Sequence, residues 1–399
     1  MITAAIAAEY NPFHSGHARH IAETRQAGAT HIVAVMSGNF TQRGTAAVAE
    51  KRVRTEAALL GGVDLVVELP LPYAMATAQK FAAGAVMTAV GMGCIDLMSF
   101  GSESGYLSIL KAASEAVDSP AVSEKMAEHL KTGMTFAKAR QTAVSELYGD
   151  EVADMLASPN DSLAVEYLRA LREQKSKIVP FAVQRKGALH DMPVPVGESA
   201  SASYLRAAVR GGKLDEIKRL CPGECAAALI KGFEEGFGPF DEEKIENVML
   251  GVLRRMTAQE LSALPDLSEG LEHRIHAAIR QAATLDEVYA LAKSKRYTAA
   301  RIRRVVSAAF LGVYADLGER PVPYVRVLGF NKRGREILAR MKETARLPVS
   351  DSLAYLRNLG GDCELFAEAE SRATDLYLLG MPVVRPCGLD YTKQSVRML

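Results

Sequence analysis

The fold of this chain turns on a short stretch close to its first residue, Glu9-Tyr10-Asn11-Pro12-Phe13-His14-Ser15-Gly16-His17. The apolar segment before it, Ile2 to Ala8, is typical of a buried strand, and a helical pattern follows from Ala18 to Ala27. A strand that ends and restarts as a helix within a few residues leaves unpaired backbone N–H groups at the helix start. Such a terminus attracts phosphate through these donors and through the helix dipole.

Two histidines define the chemistry that this transition can support. His14 and His17 are three residues apart, so we expect both on one face of the first helical turn, on an exposed loop. Gly16 between them leaves the backbone open to a phosphate. Elsewhere in a chain, His-x-Gly-His is usually an N-capping turn with two surface histidines. At the end of a first strand it is the signature of nucleotidylyltransferases, which attack the α-phosphate of ATP and release pyrophosphate.

We therefore predict that His14 and His17 are catalytic, because histidines and backbone amides can stabilise the charge that grows on phosphoryl oxygens. We predict that the surrounding backbone cradles ATP, along Ala7, Ala8, Glu9, Tyr10, Asn11, Pro12, Phe13, His14, Ser15, Gly16, His17, Ala18, Arg19 and His20. Glu9 has two interpretations that the sequence leaves open: it binds Mg²⁺ beside ATP, or it caps the loop that follows the strand.

Strand and helix patterns alternate through the first two hundred residues, which predicts an α/β fold with a doubly wound, parallel, Rossmann-like sheet. The predicted strands are Ile2–Ala8, His31–Met36, Asp64–Leu69, Ile95–Phe100 and Ile178–Val183. Residues 1–210 would form this ATP-binding domain, with a helical insertion at about 120–150. Strand signals then fade, so residues 211–399 are predicted to form a mainly helical second domain.

Composition restricts the class of protein. Hydrophobic residues make up 48% and charged residues 24% of the sequence, which is ordinary for a folded globular protein. The five cysteines are an odd number and their spacing does not indicate disulfide pairs, which favours a reducing compartment. The longest uncharged run, Phe81 to Ile95, is too short for a membrane span, and no charged leader opens the chain. We expect a cytoplasmic protein with no membrane contact, and no stable protein partner is implied.

Three motifs together resemble the tRNA(Met) cytidine acetate ligase family. They are the stretch from Glu9 to His17, then Met36-Ser37-Gly38-Asn39-Phe40-x-Gln42-Arg43-Gly44, then Phe100-Gly101-Ser102-Glu103. The resemblance covers most of the chain. It implies that acetate attacks ATP to give acetyl-adenylate and pyrophosphate. It also implies that the wobble cytidine of elongator tRNA(Met) then takes the acetyl group on N4, giving N4-acetylcytidine and AMP, with Mg²⁺ as a probable cofactor.

The resemblance extends the predicted ATP site to later loops. It adds Gly101, Asn160, Arg185, Ser201, Ser203 and Arg206. Gly101 would allow the nucleotide to come close to the fourth strand. Asn160 resembles the family's adenine-pocket asparagine, although its position alone favours a helix N-cap. Arg185 follows the fifth strand and would meet phosphates, where a surface arginine is the alternative. The pattern Ser-x-Ser-x-x-Arg from Ser201 resembles a second nucleotidylyltransferase signature, where a serine-rich N-cap is the alternative.

A basic segment in the second half is the predicted tRNA site. Between Lys293 and Arg304 six residues are basic and none is acidic: Lys293, Lys295, Arg296, Arg301, Arg303 and Arg304. A solvated helix face is the plain alternative, and a phosphate backbone is the expected partner if the segment is functional. We expect it far from the ATP site.

Two other functions fit parts of these patterns. A small-molecule adenylyltransferase of the same class would share the ATP site and would have no use for the basic helical domain. A non-catalytic RNA-binding protein on a nucleotide-binding fold would bind without releasing pyrophosphate.

Overall fold

A computed structural model describes residues 1–185, 201–268 and 270–399. Its strands are β1 (Thr3–Ala8), β2 (His31–Ser37), β3 (Leu65–Leu69), β4 (Leu97–Ser102), β5 (Val179–Gln184), β6 (Val325–Asn331), β7 (Val349–Ser350) and β8 (Val396–Met398). The first five lie within two residues of the predicted strands. They form a parallel sheet in the order β5-β4-β1-β2-β3. The predicted fold class is thereby confirmed.

This strand order places a switch point between β1 and β4. The chain runs outward from β1 to β2 and β3 on one side, and to β4 and β5 on the other. In doubly wound sheets, ligands bind outside the carboxyl ends of the strands at such a reversal. The stretch that follows β1 lies at this point, with the loops after the other four strands on either side of it.

Helices cover both faces of the sheet. In the first half they are α1 (Ser15–Gln26), α2 (Lys51–Leu60), α3 (Leu71–Ala74), α4 (Ala78–Met92), α5 (Leu107–Ala116), α6 (Pro120–Lys131), α7 (Phe136–Tyr148), α8 (Asp150–Asp154) and α9 (Pro159–Glu173). The second half has α10 (Ala202–Arg210), α11 (Asp215–Leu220), α12 (Gly223–Glu234), α13 (Glu243–Arg255), α14 (Ala258–Ser262), α15 (Leu271–Gln281), α16 (Leu285–Ala292), α17 (Ala299–Leu311), α18 (Lys332–Thr344), α19 (Leu353–Arg357), α20 (Gly361–Tyr377) and α21 (Leu389–Thr392), with 3₁₀ turns at Ala315–Glu319 and Leu378–Gly380.

The sheet crosses the predicted boundary at residue 210. β6 pairs antiparallel with β3, and both β7 and β8 pair with β6, so part of the predicted helical domain extends the sheet of the first. The sequence signal was obscured by Arg326 in the middle of β6. A charged residue is uncommon in a buried strand, yet Arg326 is only 2% exposed.

A buried ionic network holds this added strand. Arg326 pairs with Glu68 of β3 at 2.7 Å and with Asp390 of α21 at 3.1 Å. Lys51 of α2 pairs with the same two carboxylates at 2.7 and 2.6 Å. All four side chains are almost completely buried. Because buried charges require partners, the network joins the last quarter of the chain firmly to the nucleotide-binding sheet.

Across the described ranges, no helix is at once long enough and apolar enough to cross a membrane.

Candidate active site

A cavity of about 290 Å³ opens along the carboxyl edge of the sheet. Its wall includes many predicted ATP-binding residues: Ala7, Ala8, Glu9, Tyr10, Asn11, His14, His17, His20, Gly101, Asn160, Arg185, Ser201, Ser203 and Arg206. The strand order gives the direction of this cavity. It extends from Arg185, which follows β5, past the histidines that follow β1, to the loop that follows β2. The structure thus brings residues near the ends of β1, β2, β4 and β5, and from α1, α4, α9 and α10, into one site.

His14 is the N-cap of α1 and is more buried than predicted, with 7% of its surface exposed. Its Nδ1 accepts a hydrogen bond from the backbone N–H of Gly16 at 3.1 Å. In return, Nδ1 of His17 accepts from the backbone N–H of His14 at 3.2 Å. Because both Nδ1 atoms are acceptors, the neutral rings carry their protons on Nε2. Each histidine therefore offers an Nε2–H donor to a ligand.

The environment keeps these rings neutral. Burial, followed by the charges of Arg185 and Arg206, lowers the pKa of His14 to about 3. Burial, followed by the charge of His14, holds the pKa of His17 well below its ordinary value. At neutral pH both rings are therefore uncharged hydrogen-bond donors, and the fixed positive charge of the site comes from arginines.

His20 belongs to a chain of hydroxyl groups below the site. The Thr24 hydroxyl donates to the carbonyl of His20 at 2.8 Å, so it must accept the proton of Ser99, 2.7 Å away. Ser99 in turn accepts from Nε2 of His20 at 2.8 Å. This order assigns the His20 proton to Nε2 and leaves Nδ1 as an acceptor. Burial lowers the pKa of His20 to about 4.

Gly16 has a structural role besides the predicted one. A Cβ at this position would lie 2.9 Å from Cε1 of His14, so a side chain would displace the ring that caps the helix. The glycine therefore makes room for a histidine ring. The phosphate contact predicted for it stays untested.

Several predicted ATP contacts lie outside the cavity wall: Pro12, Phe13, Ser15, Gly16, Ala18 and Arg19. Phe13 is fully buried, and its ring fills the space beside Gly61, where a Cβ would come within 2.2 Å of it. Arg19 pairs with Glu23 one helical turn later at 2.7 Å. A run of consecutive residues cannot face one ligand throughout, because a helix turns successive side chains away by about 100°.

Asn160 is held by an acidic residue at the end of β4. Glu103 accepts hydrogen bonds from the side-chain amide and the backbone N–H of Asn160, the latter at 3.3 Å, and from the backbone N–H of Asp161 at 2.9 Å. Glu103 therefore performs the helix-capping role that the sequence offered for Asn160 itself. With its amide nitrogen engaged, Asn160 presents its side-chain oxygen, a suitable acceptor for the amino group of adenine.

The described cations of the cavity wall include Arg185 and Arg206, on the side of β5 and α10. Nη1 of Arg206 donates to the carbonyl of Asn11 at 2.9 Å, which joins α10 to the loop behind β1. Ser201 is the N-cap of α10, as its alternative interpretation proposed, and its hydroxyl lies 2.9 Å from that of Ser203. Gly101 lies beside Arg185, with space for a methyl group, since a Cβ would be 3.5 Å from Cγ of the arginine.

Part of the cavity wall was not predicted from the sequence. It consists of Thr41, Gln42, Arg43 and Thr45 behind β2, with Ala78 and Phe81 of α4 and Leu163 and Tyr167 of α9. The loop behind β2 was marked by the second of the three motifs, so a signal existed. The apolar residues carried none, because the spacing of Phe81 and Tyr167 suits ordinary core positions of amphipathic helices.

The predicted tRNA segment lies closer to this wall than expected. Gly44 packs so tightly on α17 that a Cβ would lie 2.4 Å from the backbone nitrogen of Arg304, and Ser307 donates to the carbonyl of Gly44 at 2.8 Å. Helix α17 therefore supports the loop that lines the cavity. The expectation of a remote segment is wrong for its second half.

The six basic residues fall into two groups. Arg301 donates to the carbonyl of Asp266 at 2.8 Å, Arg304 pairs with its carboxylate, and Arg303 lies over the ring of Tyr289 at 5.3 Å. Lys293, Lys295 and Arg296 are exposed in the loop before α17. Only this second group is presented to solvent in full.

The chain has extensive similarity to known proteins. The model of the HIGH Nucleotidyl Transferase family matches residues 1–387. A tRNA(Met) cytidine acetate ligase of Thermoanaerobacter sp. (strain X514) is 37% identical over 399 residues, which is 98% of this chain and 99% of that protein. One of Acetivibrio thermocellus is 33% identical over 407 residues, covering 98% of each.

Two solved structures have the same fold along the full length of both chains. The crystal structure of Thermotoga maritima TmcAL in its apo form I superposes with a TM-score of 0.95 at 30% identity. The form II structure of TmcAL from that organism, bound with alpha-thio ATP, superposes with a TM-score of 0.93 at 31% identity.

Proposed function

Because this chain belongs to the HIGH nucleotidyl transferase family and, within it, to the tRNA(Met) cytidine acetate ligases, we propose that it ligates acetate to N4 of the wobble cytidine of elongator tRNA(Met). ATP supplies the energy, and the products are N4-acetylcytidine, AMP and pyrophosphate. The enzyme is an ATP-dependent ligase that works in two half-reactions, with acetyl-adenylate as the intermediate.

The first half-reaction is attack by acetate on the α-phosphate of ATP. Asn160 would hold the adenine, and Arg185 with Arg206 would hold the phosphates, while the backbone behind β1 approaches the nucleotide. The two Nε2–H groups of His14 and His17 would donate to the phosphoryl oxygens as negative charge grows on them. Preorganised donors of this kind lower the barrier because they need no rearrangement during the reaction.

The observation that carries this assignment is the pair of Nδ1 acceptors at the start of α1. Two backbone N–H groups fix the tautomer of both rings, at 3.1 and 3.2 Å. Both rings are uncharged donors in one cavity wall, with His14 buried and His17 half-buried, whereas surface histidines that only capped a helix would be exposed. The geometry suits phosphoryl transfer, in which positioning and electrostatics perform most of the catalysis.

The second half-reaction transfers the acetyl group to tRNA. A mixed anhydride of acetate and AMP is a strong acyl donor, whereas free acetate is a poor one. An anticodon loop presents its bases partly unstacked, so the wobble cytidine can enter the cavity at little cost. The loop of residues 41–45 lines the cavity and packs on α17, and the exposed basic residues directly precede α17 in the chain, which supports a path for tRNA on this side of the enzyme.

Mg²⁺ would come with ATP. Across the described residues there is no group of three or more histidine, cysteine or acidic side chains that could hold a metal ion. Glu9 is the one acidic residue described in the cavity wall, and its Oε1 already accepts from the backbone N–H of Gln42 at 2.9 Å. These residues therefore do not form a protein-built metal site, and ATP oxygens would supply most of the ligands of the ion.

Exchange of labelled pyrophosphate into ATP, with and without acetate and tRNA, tests the proposal. A ligase shows acetate-dependent exchange without tRNA and forms N4-acetylcytidine when tRNA is added. A small-molecule adenylyltransferase would exchange without acetate once its own acceptor is present. A non-catalytic RNA-binding protein would bind tRNA and show no exchange under any condition.

A further inference from the structure

We propose that Glu9 is the general base of the transfer half-reaction and takes a proton from N4 of the cytidine as that nitrogen attacks the acetyl carbonyl. This assignment rests on the proposed function. The Glu9 carboxylate is negatively charged and would repel an anionic triphosphate, so its presence in this cavity calls for a role.

Glu9 is held in one place from two directions. Its Oε1 accepts from the backbone N–H of Gln42 at 2.9 Å, and its carbonyl accepts from Nη1 of Arg54 at 2.6 Å. Arg54 is fully buried and also donates to the carbonyls of Ser37 and Ala49. Within the described residues the other carboxylate oxygen, Oε2, has no hydrogen-bond partner. One oxygen therefore orients the group, and the second is free to act on a ligand in the cavity.

The described cavity wall carries Arg185 and Arg206 near β5 and α10, and Arg43 next to Gln42 behind β2. Burial is the main cause of the lowered pKa of His14, and the charges of Arg185 and Arg206 lower it further. These two arginines place positive charge on the side of β5. Glu9 instead acts on Tyr167, whose pKa is raised by burial and then by the Glu9 charge. Arg185 and Arg206 would hold the triphosphate. The Glu9 carboxylate is anchored to the loop behind β2 through Gln42 and lines the same cavity, so it can reach a base that enters from that side.

The chemistry of the acceptor needs a base. The lone pair of a cytosine amino group is delocalised into the ring, so attack becomes efficient only as the N–H proton leaves. His14 and His17 cannot serve, because both present Nε2–H and their Nδ1 atoms are engaged. Carboxylates are established general bases when they lie within hydrogen-bond reach of the proton.

The N4 lone pair forms a bond to the acetyl carbon while the carbonyl π pair moves to oxygen, and an N4 proton passes to Oε2 of Glu9. The oxyanion then reforms the carbonyl and breaks the bond to the AMP oxygen, so AMP leaves with that electron pair. The proton on Glu9 passes to solvent after the product departs. No oxidant, reductant or further reactant is required.

Separate assays of the two half-reactions with Glu9→Gln test this role. The glutamine oxygen can still accept from Gln42, so the loop should stay in place. We expect acetate-dependent pyrophosphate exchange within about threefold of the wild-type rate. Transfer from isolated acetyl-adenylate to tRNA(Met) should fall by about 10²-fold or more, the usual contribution of a general base. The tRNA Kd should change little. Glu9→Asp, which retracts the carboxylate, should show the same split and covers the case that Glu9→Gln fails to fold.

Three results would overturn the assignment. The first is transfer at the wild-type rate in both variants. The second is a loss of exchange with a raised Mg²⁺ requirement, which would make Glu9 a metal ligand. The third is a rise in tRNA Kd that accounts for the whole loss of transfer. Glu124→Gln, which removes an exposed acidic group of α6 outside the cavity wall, is the matched control and should change neither half-reaction. If wild-type enzyme shows no acetate-dependent exchange, the proposed function fails first, and the two failures are distinguished.

Discussion

At the scale of single residues, the site depends on small reciprocal contacts that sequence patterns do not reveal. The motif predicted that His14 and His17 are catalytic. It could not predict that each ring accepts a hydrogen bond from a backbone N–H group of the same turn, because this contact depends on side-chain rotamers. The same limit applies to Gly16, which makes space for a ring. Residue type at fixed spacing identified the site, and the structure supplied the protonation state.

The first prediction concerns the histidine pair. His14→Asn keeps an N-capping oxygen and removes the Nε2–H donor. We expect a folded enzyme whose acetate-dependent pyrophosphate exchange is reduced by about 10²-fold or more, and the same loss for His17→Ala. Circular dichroism and exchange kinetics measure the two effects. Exchange near the wild-type rate in either variant would remove that histidine from the mechanism.

The second prediction concerns pH and stability. The pKa of His14 is lowered from 6.5 to about 3 and that of His20 from 6.5 to about 4. Between pH 6.5 and the lowered pKa of each histidine, the unfolded chain therefore binds more protons than the folded chain. Stability should therefore fall as pH falls below 6.5, by about 1.4 kcal/mol per pH unit for each such histidine. Urea unfolding from pH 7 to 4 measures this slope. His14→Asn should make it shallower, and an unchanged slope would contradict the burial of a neutral ring.

The third prediction uses Gly101. A Cβ there meets only the side chain of Arg185, at 3.5 Å, so Gly101→Ala should leave the unfolding free energy within about 0.5 kcal/mol of wild type. If ATP lies against β4, as predicted, the added methyl should raise the KM for ATP. Gly251→Ala, where nothing lies within 4 Å, is the matched control and should leave this KM unchanged. Equal KM values for the two variants would place ATP away from β4.

At the scale of elements, the alternation of apolar runs and helical patterns predicted the five parallel strands well. Such strands are buried on both faces and appear as plain hydrophobic runs. β6 was not predicted, because Arg326 interrupts its apolar pattern and is stabilised only by partners more than sixty residues away in sequence. Strand propensity describes local preference, and a tertiary ion pair can override it.

The fourth prediction tests that ion network. Asp390→Asn leaves Lys51 and Arg326 without one of their two carboxylate partners. Removal of one member of a buried charged cluster commonly costs about 3–5 kcal/mol. We expect a loss of this size in urea unfolding. Asp215→Asn, at an exposed pair with Lys218, is the control and should cost less than about 1 kcal/mol. Equal losses would show that the network is not what holds β6.

At the scale of the whole molecule, the ATP site and the proposed tRNA site lie in one connected structure. The predicted boundary at residue 210 suggested separate units for ATP and tRNA, whereas the sheet and the contact of α17 with Gly44 join them. An enzyme that moves an acetyl group from a nucleotide to a tRNA base needs its two substrates side by side. The assignment of tRNA to the basic segment remains a prediction.

The fifth prediction tests that assignment. Lys293, Lys295 and Arg296 are exposed, so their joint replacement by Ala should preserve the fold and acetate-dependent exchange. Each lost phosphate contact lowers the salt dependence of binding by roughly 0.7 to 0.9, which gives a decrease of about 2 to 3 in slope. Binding of tRNA(Met) across a salt series measures it. Replacement of Lys111, Lys131 and Lys138 removes the same charge elsewhere and should leave the slope intact. Equal slopes for both triple variants would make the segment a solvated surface.

In the proposed reaction, acetate is activated by direct bonding to the α-phosphate of ATP. Acetate labelled with heavy oxygen in both carboxylate positions, incubated with ATP, tRNA(Met) and enzyme, tests it through mass analysis of the products. An acetyl-adenylate pathway leaves one heavy oxygen on AMP and none on pyrophosphate, with the other heavy oxygen in N4-acetylcytidine. AMP without label, or heavy oxygen in pyrophosphate or inorganic phosphate, would contradict the account.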